Sequence, residues 1–159
     1  MTFSRDPEVF ILPPSLEAGL RCMLDGAWFE AHELIEEVWR PTDGDERRFL
    51  QGLIQAAVSL VHLQRGNPRG ALGQWTKAQG KWRGMEPWRD GVGIGPWQES
   101  LSVFFSQIRL EERVARYRAG ESDGDLPPLP PPESWPRPPL TAELALRVDA
   151  LPGVVGKDG

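Results

Sequence analysis

Trp28-Phe29-Glu30-Ala31-His32-Glu33-Leu34-Ile35-Glu36-Glu37-Val38-Trp39 decides the fold class of this chain. At about 100° per residue, Trp28, His32, Ile35 and Trp39 fall in one sector, which Ala31, Val38 and Leu34 extend. Glu30, Glu33, Glu37 and Arg40 take the opposite side or its rim, while Glu36 falls on the apolar side, between His32 and Phe29. The stretch therefore reads as an amphipathic helix with a polar pair, His32 and Glu36, turned inward. A carboxylate taken out of water needs a partner or a raised pKa. Side chains four residues apart on a helix can meet, so each is the other's nearest candidate partner.

On the N-terminal side, residues 1–14 read as an arm. Pro13-Pro14 leads to Ser15, an N-cap candidate, and to a first helix carrying Leu16, Leu20, Met23 and Leu24. Asp25-Gly26 ends that helix. On the C-terminal side, Arg40-Pro41 stops the opening helix, because proline pushes the preceding residue out of the α region. A third helix over 46–64 is apolar nearly all round, which places it at the centre of its domain. Its polar positions form one stripe: Gln51, Gln55, Ser59 and His62. Arg65-Gly66-Asn67-Pro68 reads as a C-cap glycine, an N-cap asparagine and a first-turn proline. The fourth helix turns Ala71, Leu72, Trp75, Ala78 and Trp82 to one face. Gly70, Gly73 and Gly80 each weaken it by about 1 kcal/mol relative to alanine, and close helix approach is one reason to keep them.

Residues 84–96 are a glycine-rich connection. A fifth helix over 96–119 turns Leu101, Phe104, Phe105 and Ile108 inward, and its charged end, Arg109 to Arg118, is expected to protrude. Residues 120–139 are acidic, then proline-rich through Leu126-Pro127-Pro128-Leu129-Pro130-Pro131-Pro132, which reads as unpacked polyproline II. Thr141 caps a short last helix over 142–150, and the end from Gly153 reads as loose. The expected fold is all-α. It is an antiparallel bundle of about five main helices over 15–119, with tetratricopeptide-like hairpins and a tail over 120–159. The hairpin resemblance rests on a faint repeat, in which Gly26, Ala31 and Val38 recur forty residues later as Gly66, Ala71 and Ala78.

The chain has 159 residues, 40% of them hydrophobic, and a net charge of −5. That is enough for one domain with a core of its own. Val9-Phe10-Ile11-Leu12 is too short for a signal core or a membrane span, so a cytoplasmic protein without membrane contact is expected. The acidic balance and the lack of a basic run argue against nucleic-acid binding through phosphates. The one cysteine, Cys22, cannot form an intrachain disulfide and reads as a buried small hydrophobe. Trp28, Trp39, Trp75 and Trp82 lie on apolar stripes and read as core. Trp88, Trp97 and Trp135 stand beside Gly/Pro-rich segments and read as clamps that hold loops to the bundle.

The motif His32-Glu33-x-x-Glu36-x-x-Trp39 follows Gly26-x-x-Phe29-Glu30-Ala31. Leu50-Gln51-Gly52-Leu53-Ile54-Gln55, His62, Arg65-Gly66-Asn67 and Gly70-Ala71 come after it in order. Together these resemble the prokaryotic family called domain of unknown function 309, over about residues 15 to 110. The resemblance implies a small all-helical bundle and no settled activity. The glycine-rich connection and the proline-rich tail depart from that pattern.

His32, Glu33, Glu36, Trp39, Gln51, Gln55 and His62 form the candidate site. Three readings compete for its polar members. One is a buried hydrogen-bond network that fixes helix register. A second is a metal site with His32, Glu36 and His62 as ligands. The third is a small-molecule or hydrolytic site with His32 or Glu36 as general base. The chain lacks His-Glu-x-x-His, holds only two histidines and shows no nucleophile motif or phosphate loop, so Glu33 reads as a rim charge. The reading taken is a non-enzymatic scaffold or binding module that needs no cofactor, with a metal protein or a hydrolase-like enzyme as the alternative. A protein or small-molecule ligand is expected, and so is a homodimer, from the aromatic and proline-rich surface beyond residue 84. By economy of buried polar groups, His32 and Glu36 should face the Gln51/Gln55/Ser59/His62 stripe, which predicts that Glu36→Gln and Gln55→Leu couple in stability.

Overall fold

The computed structural model describes residues 12–153. Most of the expected arm and the last six positions lie outside them. Among the described residues there are seven α-helices, one 3-10 turn and no strand beyond isolated bridges. The chain is an all-α bundle. The helices are α1 (Pro14–Leu24), α2 (Trp28–Trp39), α3 (Gly44–Gln64), α4 (Pro68–Trp82), α5 (Ile94–Gln107), α6 (Leu110–Ala119) and α7 (Ala142–Asp149).

The first four helices are two hairpins closed in the same way. Gly26 and Gly66 both adopt left-handed φ, 74° and 73°, where a side chain would be strained. After each glycine the chain reaches back five residues: Ala27 N–H donates to Cys22 O at 2.8 Å, and Asn67 N–H to His62 O at 2.9 Å. Asn67 caps α4 as expected, its Oδ1 accepting from Gly70 N–H at 2.9 Å. Ser15 does not cap α1. The helix starts one residue earlier, and the Ser15 hydroxyl donates across to Glu37 Oε2 at 2.8 Å.

Small residues set how closely these helices cross. A Cβ on Gly19 would stand 2.7 Å from Ile35, and one on Gly52 would stand 2.1 Å from the Trp82 indole nitrogen. Gly52 therefore lets Trp82 lie flat on α3, where its Nε1–H donates to Phe49 O at 3.2 Å. Close approach also explains Gly70, whose Cβ would meet the His62 ring at 2.7 Å, but not Gly73 or Gly80, which face open space. Arg47 finishes α2. Its guanidinium donates to Trp39 O, Arg40 O and Thr42 O at 3.0–3.2 Å and lies 3.9 Å over the Trp39 ring.

The second half of the chain departs from the single fifth helix. The helix breaks at Arg109, which adopts left-handed φ (57°) and separates α5 from α6. Arg113 is buried beside the break and donates from Nε to Ile108 O at 2.6 Å, satisfying the carbonyl there. The second segment does not protrude, since it packs on α4 with Leu110 and Val114 buried. Nor is the tail unpacked. Prolines have no N–H to satisfy, so only their carbonyls need donors, and buried side chains supply them. Arg113 donates to Pro127 O, Trp135 Nε1–H to Pro130 O at 2.9 Å and Trp97 Nε1–H to Pro136 O at 3.0 Å. Arg116 binds Asp125, and this hydrogen bond, aided by a backbone one, holds the Asp125 carboxyl below its usual range.

A two-residue turn anchors the tail. Asp90 and Gly91 both have positive φ, 52° and 84°, as a tight hairpin turn requires, so Arg89 pairs with Val92 and Val92 in turn with Leu140. Thr141 then caps α7, which packs on α1. The proline-rich surface from which self-association is expected is thus folded onto the bundle. Trp88, Val103, Tyr117, Leu129 and Leu146 are the exposed large apolar side chains beyond residue 84.

Trp97 is fully buried, stacked on Trp28 at 6.2 Å and tilted against Trp82 at 6.0 Å. Trp135 is buried against Phe104 at 5.5 Å. These two loop-flanking tryptophans are clamps, as expected. Trp88 is 45% exposed, and Trp39 is only partly buried beside its arginine. Two substitutions test this packing. Gly52→Ala should destabilise by about 1–3 kcal/mol in urea unfolding, because the rigid indole has nowhere to go. Trp135→Ala should cost about 3–5 kcal/mol in the same assay, and a near-neutral result would show that the tail is not part of the cooperative core.

Candidate functional site

The polar stripe of α3 can be placed by the helix period. Arg47 and Arg65 lie on one line of α3, and both meet α2, with Arg65 5.2 Å over the Phe29 ring. Roughly 100–140° around, Arg48 and Gly52 meet α4. Arg48 donates to Lys81 O and Arg83 O, both at 3.0 Å, and Trp82 covers Gly52. Gln51, Gln55 and His62 fall between these two lines. They form a face of α3 flanked by α2 on one side and α4 on the other, and they do not pack into α2.

The face closes toward α4. Gln51 and Gln55 line a cleft of about 510 Å³ with Arg48, Lys77, Gly80 and Lys81. His32 and Glu36 do not line it, and no hydrogen bond joins either to a glutamine or to the other. The expected facing of the two stripes is therefore corrected. His32 and Glu36, expected to turn inward, are each half-buried at the rim of α2. Glu36, 34% exposed, stands 3.6 Å from Arg40. His32 Nδ1 donates to Phe29 O, which fixes the tautomer and leaves Nε2 as the basic nitrogen. Glu33 is exposed.

His62 belongs to the α3–α4 turn. Asn67 Nδ2 donates to His62 Nδ1 at 3.3 Å, so that ring nitrogen is an acceptor and is occupied. Ser59 is buried, and its hydroxyl returns to Ala56 O at 2.6 Å. Among the described residues no three His, Cys, Asp or Glu side chains come together as a ligand set for a metal, so His32, Glu36 and His62 are not assembled as one.

Gln55 differs from these. Its Oε1 is buried and has no hydrogen-bond partner among the described residues. The cations across the cleft differ too. Arg48 is held by two carbonyls and, at 3.5 Å, by Asp45, whereas Lys77 and Lys81 have no carboxylate within 4 Å among the described residues. Sequence singles out Gly80 only as a helix-weakening glycine and does not single out the lysines, whose signal is the i, i+4 spacing of Lys77 and Lys81, about a quarter turn around α4 from Ala71 and Ala78.

A second cleft, about 440 Å³, lies between α4 and α5–α6, over Leu72, Trp75 and Phe105. Of its charged lining residues, Arg109 and Glu112 pair with each other, and Glu112 also pairs with Arg116. Cys22 is buried beside a smaller apolar cleft of about 190 Å³. Burial, with Glu30 and Asp25 nearby, pushes its thiol up to about 11, so it remains a neutral hydrophobe at physiological pH.

These features define a small all-helical domain built on two like hairpins, with a polar face across α2, α3 and α4. Over residues 16–74 the chain matches the family described as Domain of unknown function (DUF309), and the resemblance in its motifs is thereby shown. That segment holds α1, α2, α3 and the first half of α4, with every candidate-site residue named from sequence. It does not hold Lys77 or Lys81. The chain is also similar to the uncharacterized protein YpuF of Bacillus subtilis (strain 168), with 32% identity over 97 residues, covering 58% of this chain and 53% of that protein. The chain thus spans about half the length of this curated relative.

Because Glu36 and Gln55 share no partner, Glu36→Gln and Gln55→Leu should be additive in stability to within about 0.5 kcal/mol. A double-mutant cycle by chemical denaturation checks this, and a larger coupling would restore the expected contact between the stripes.

Proposed function

We propose that the chain is a non-enzymatic binding module whose partner lies in the α3–α4 cleft. The observation that carries the reading is the buried, unpartnered Oε1 of Gln55. A buried acceptor without a donor costs a fold roughly 1–3 kcal/mol. Gln55 also lines the cleft, where a turn of its side chain would let a partner supply that donor. Gly80 points the same way, since it lines the cleft, meets nothing within 4 Å and would be a better helix residue as alanine. Both positions trade stability of the free domain for room and hydrogen-bonding capacity in one place. His32 and Glu36, on the α2 rim of the same face, are then flanking polar groups, and Trp39 with Arg47 secures the end of that rim.

The test separates a binding role from a structural one. If Gln55 serves a partner, Gln55→Leu should leave the melting temperature of the free domain unchanged or raise it by a few degrees. A stability loss of more than about 1 kcal/mol would make Gln55 a structural link and remove the reading. Elemental analysis of untagged protein addresses the rival class, because one equivalent of a bound transition metal would favour a metal protein instead.

A further inference from the structure

Resting on the binding-module reading, we infer that the partner is an acidic peptide. Its carboxylates meet Lys77 and Lys81, and its backbone pairs with the side-chain amides of Gln51 and Gln55 that line the same cleft. The charge of the cleft is the first argument. The chain as a whole carries −5, yet this cleft is lined by Arg48, Lys77 and Lys81 and by no carboxylate. Arg48 is held by Asp45, but Lys77 and Lys81 have no carboxylate partner among the described residues, and such cations in a concavity attract an anionic ligand and speed its encounter. The two lysines are one turn apart on α4, so they can take two carboxylates or both sides of one.

The second argument is the type of hydrogen bond left open. An isolated carboxylate would satisfy the lysines but offers no donor to the glutamine amides. A peptide supplies both, because each of its non-proline residues carries an N–H. Gln51, beside Gln55, adds a second amide that can accept from or donate to the same backbone. The span agrees. From Arg48 to Gln55, α3 advances roughly 10 Å, the length of about three extended residues. A nucleic acid is a poorer fit, since a ligand with a charge at every phosphate calls for a longer basic track than three side chains.

The experiment uses the full chain, 15N-labelled, in a buffer free of phosphate. Four probes are titrated separately: a capped hexapeptide of alternating Glu and Asp, a capped Gly/Ser hexapeptide, inorganic phosphate and a short single-stranded oligothymidine. The acidic peptide should shift the amides of α3 and α4 and the Gln55 side-chain signal. The double variant Lys77→Gln/Lys81→Gln, with its helical circular dichroism intact, should bind at least tenfold more weakly. The Gly/Ser peptide binding equally well in this cleft would overturn the acidic partner and leave the binding-module reading standing. Phosphate or the oligonucleotide shifting the same amides at lower concentration would also overturn it. So would unchanged affinity in the double variant, or no shift with the acidic peptide. The module reading is judged separately by Gln55→Leu.

Discussion

Trp97 sits where three parts of the chain meet. Its indole stacks on Trp28 of α2, tilts against Trp82 of α4 and donates to the carbonyl of Pro136 in the tail. Few side chains can do this, because the position needs a large apolar face on two sides and one hydrogen-bond donor at the edge. The two hairpins could be closed by their own glycines, but their fixed relation to α5 and to the tail runs through this ring. Trp82 is seated only because Gly52 leaves room for it, so the absence of one methyl group on α3 determines where α5 can lie.

Much of the architecture could be read from the residues, and the parts that could not share a cause. Local signals worked where one residue does one job, as with Gly26, Gly66, Asn67 and Thr141 at helix ends. The break at Arg109 carried no such signal. A left-handed arginine is unfavourable by itself, and the contact that accompanies it, the buried Arg113 on Ile108 O, has no local pattern to announce it. The tail was misread for a related reason. Polyproline composition does indicate a chain without internal hydrogen bonds, but it does not say whether side chains from elsewhere will donate to it. The Asp90-Gly91 pair did announce the turn that brings the tail back, and it was hidden among neighbouring glycines.

The candidate site shows how finely helical phase must be known. A stripe of Gln51, Gln55 and His62 was legible as a stripe, but a rotation of about 40–80° decides whether it meets α2, meets α4 or opens between them. The polar residues alone do not distinguish these outcomes, but the contacts of the residues around them do: Arg47 and Arg65 claim the side against α2, and Gly52 claims the side against α4, so the polar residues take what is left. Lys77 and Lys81 were overlooked because charged residues on a helix read as solvated by default, and only the partner helix shows that they border a concavity.

The contact between α7 and α1 has a consequence for how the chain is made. It joins segments more than a hundred residues apart, with Arg147 3.6 Å from Glu17 and Arg21 3.8 Å from Asp149. The hairpins, by contrast, are local and can form early during synthesis, when the N-terminal part has left the ribosome and the rest has not. Through that interval the outer side of α1 lacks its cover, and Trp28 and Trp82 wait for the ring that packs between them. The nascent protein therefore passes through a stage in which its most family-like part is complete in topology but open at two apolar surfaces.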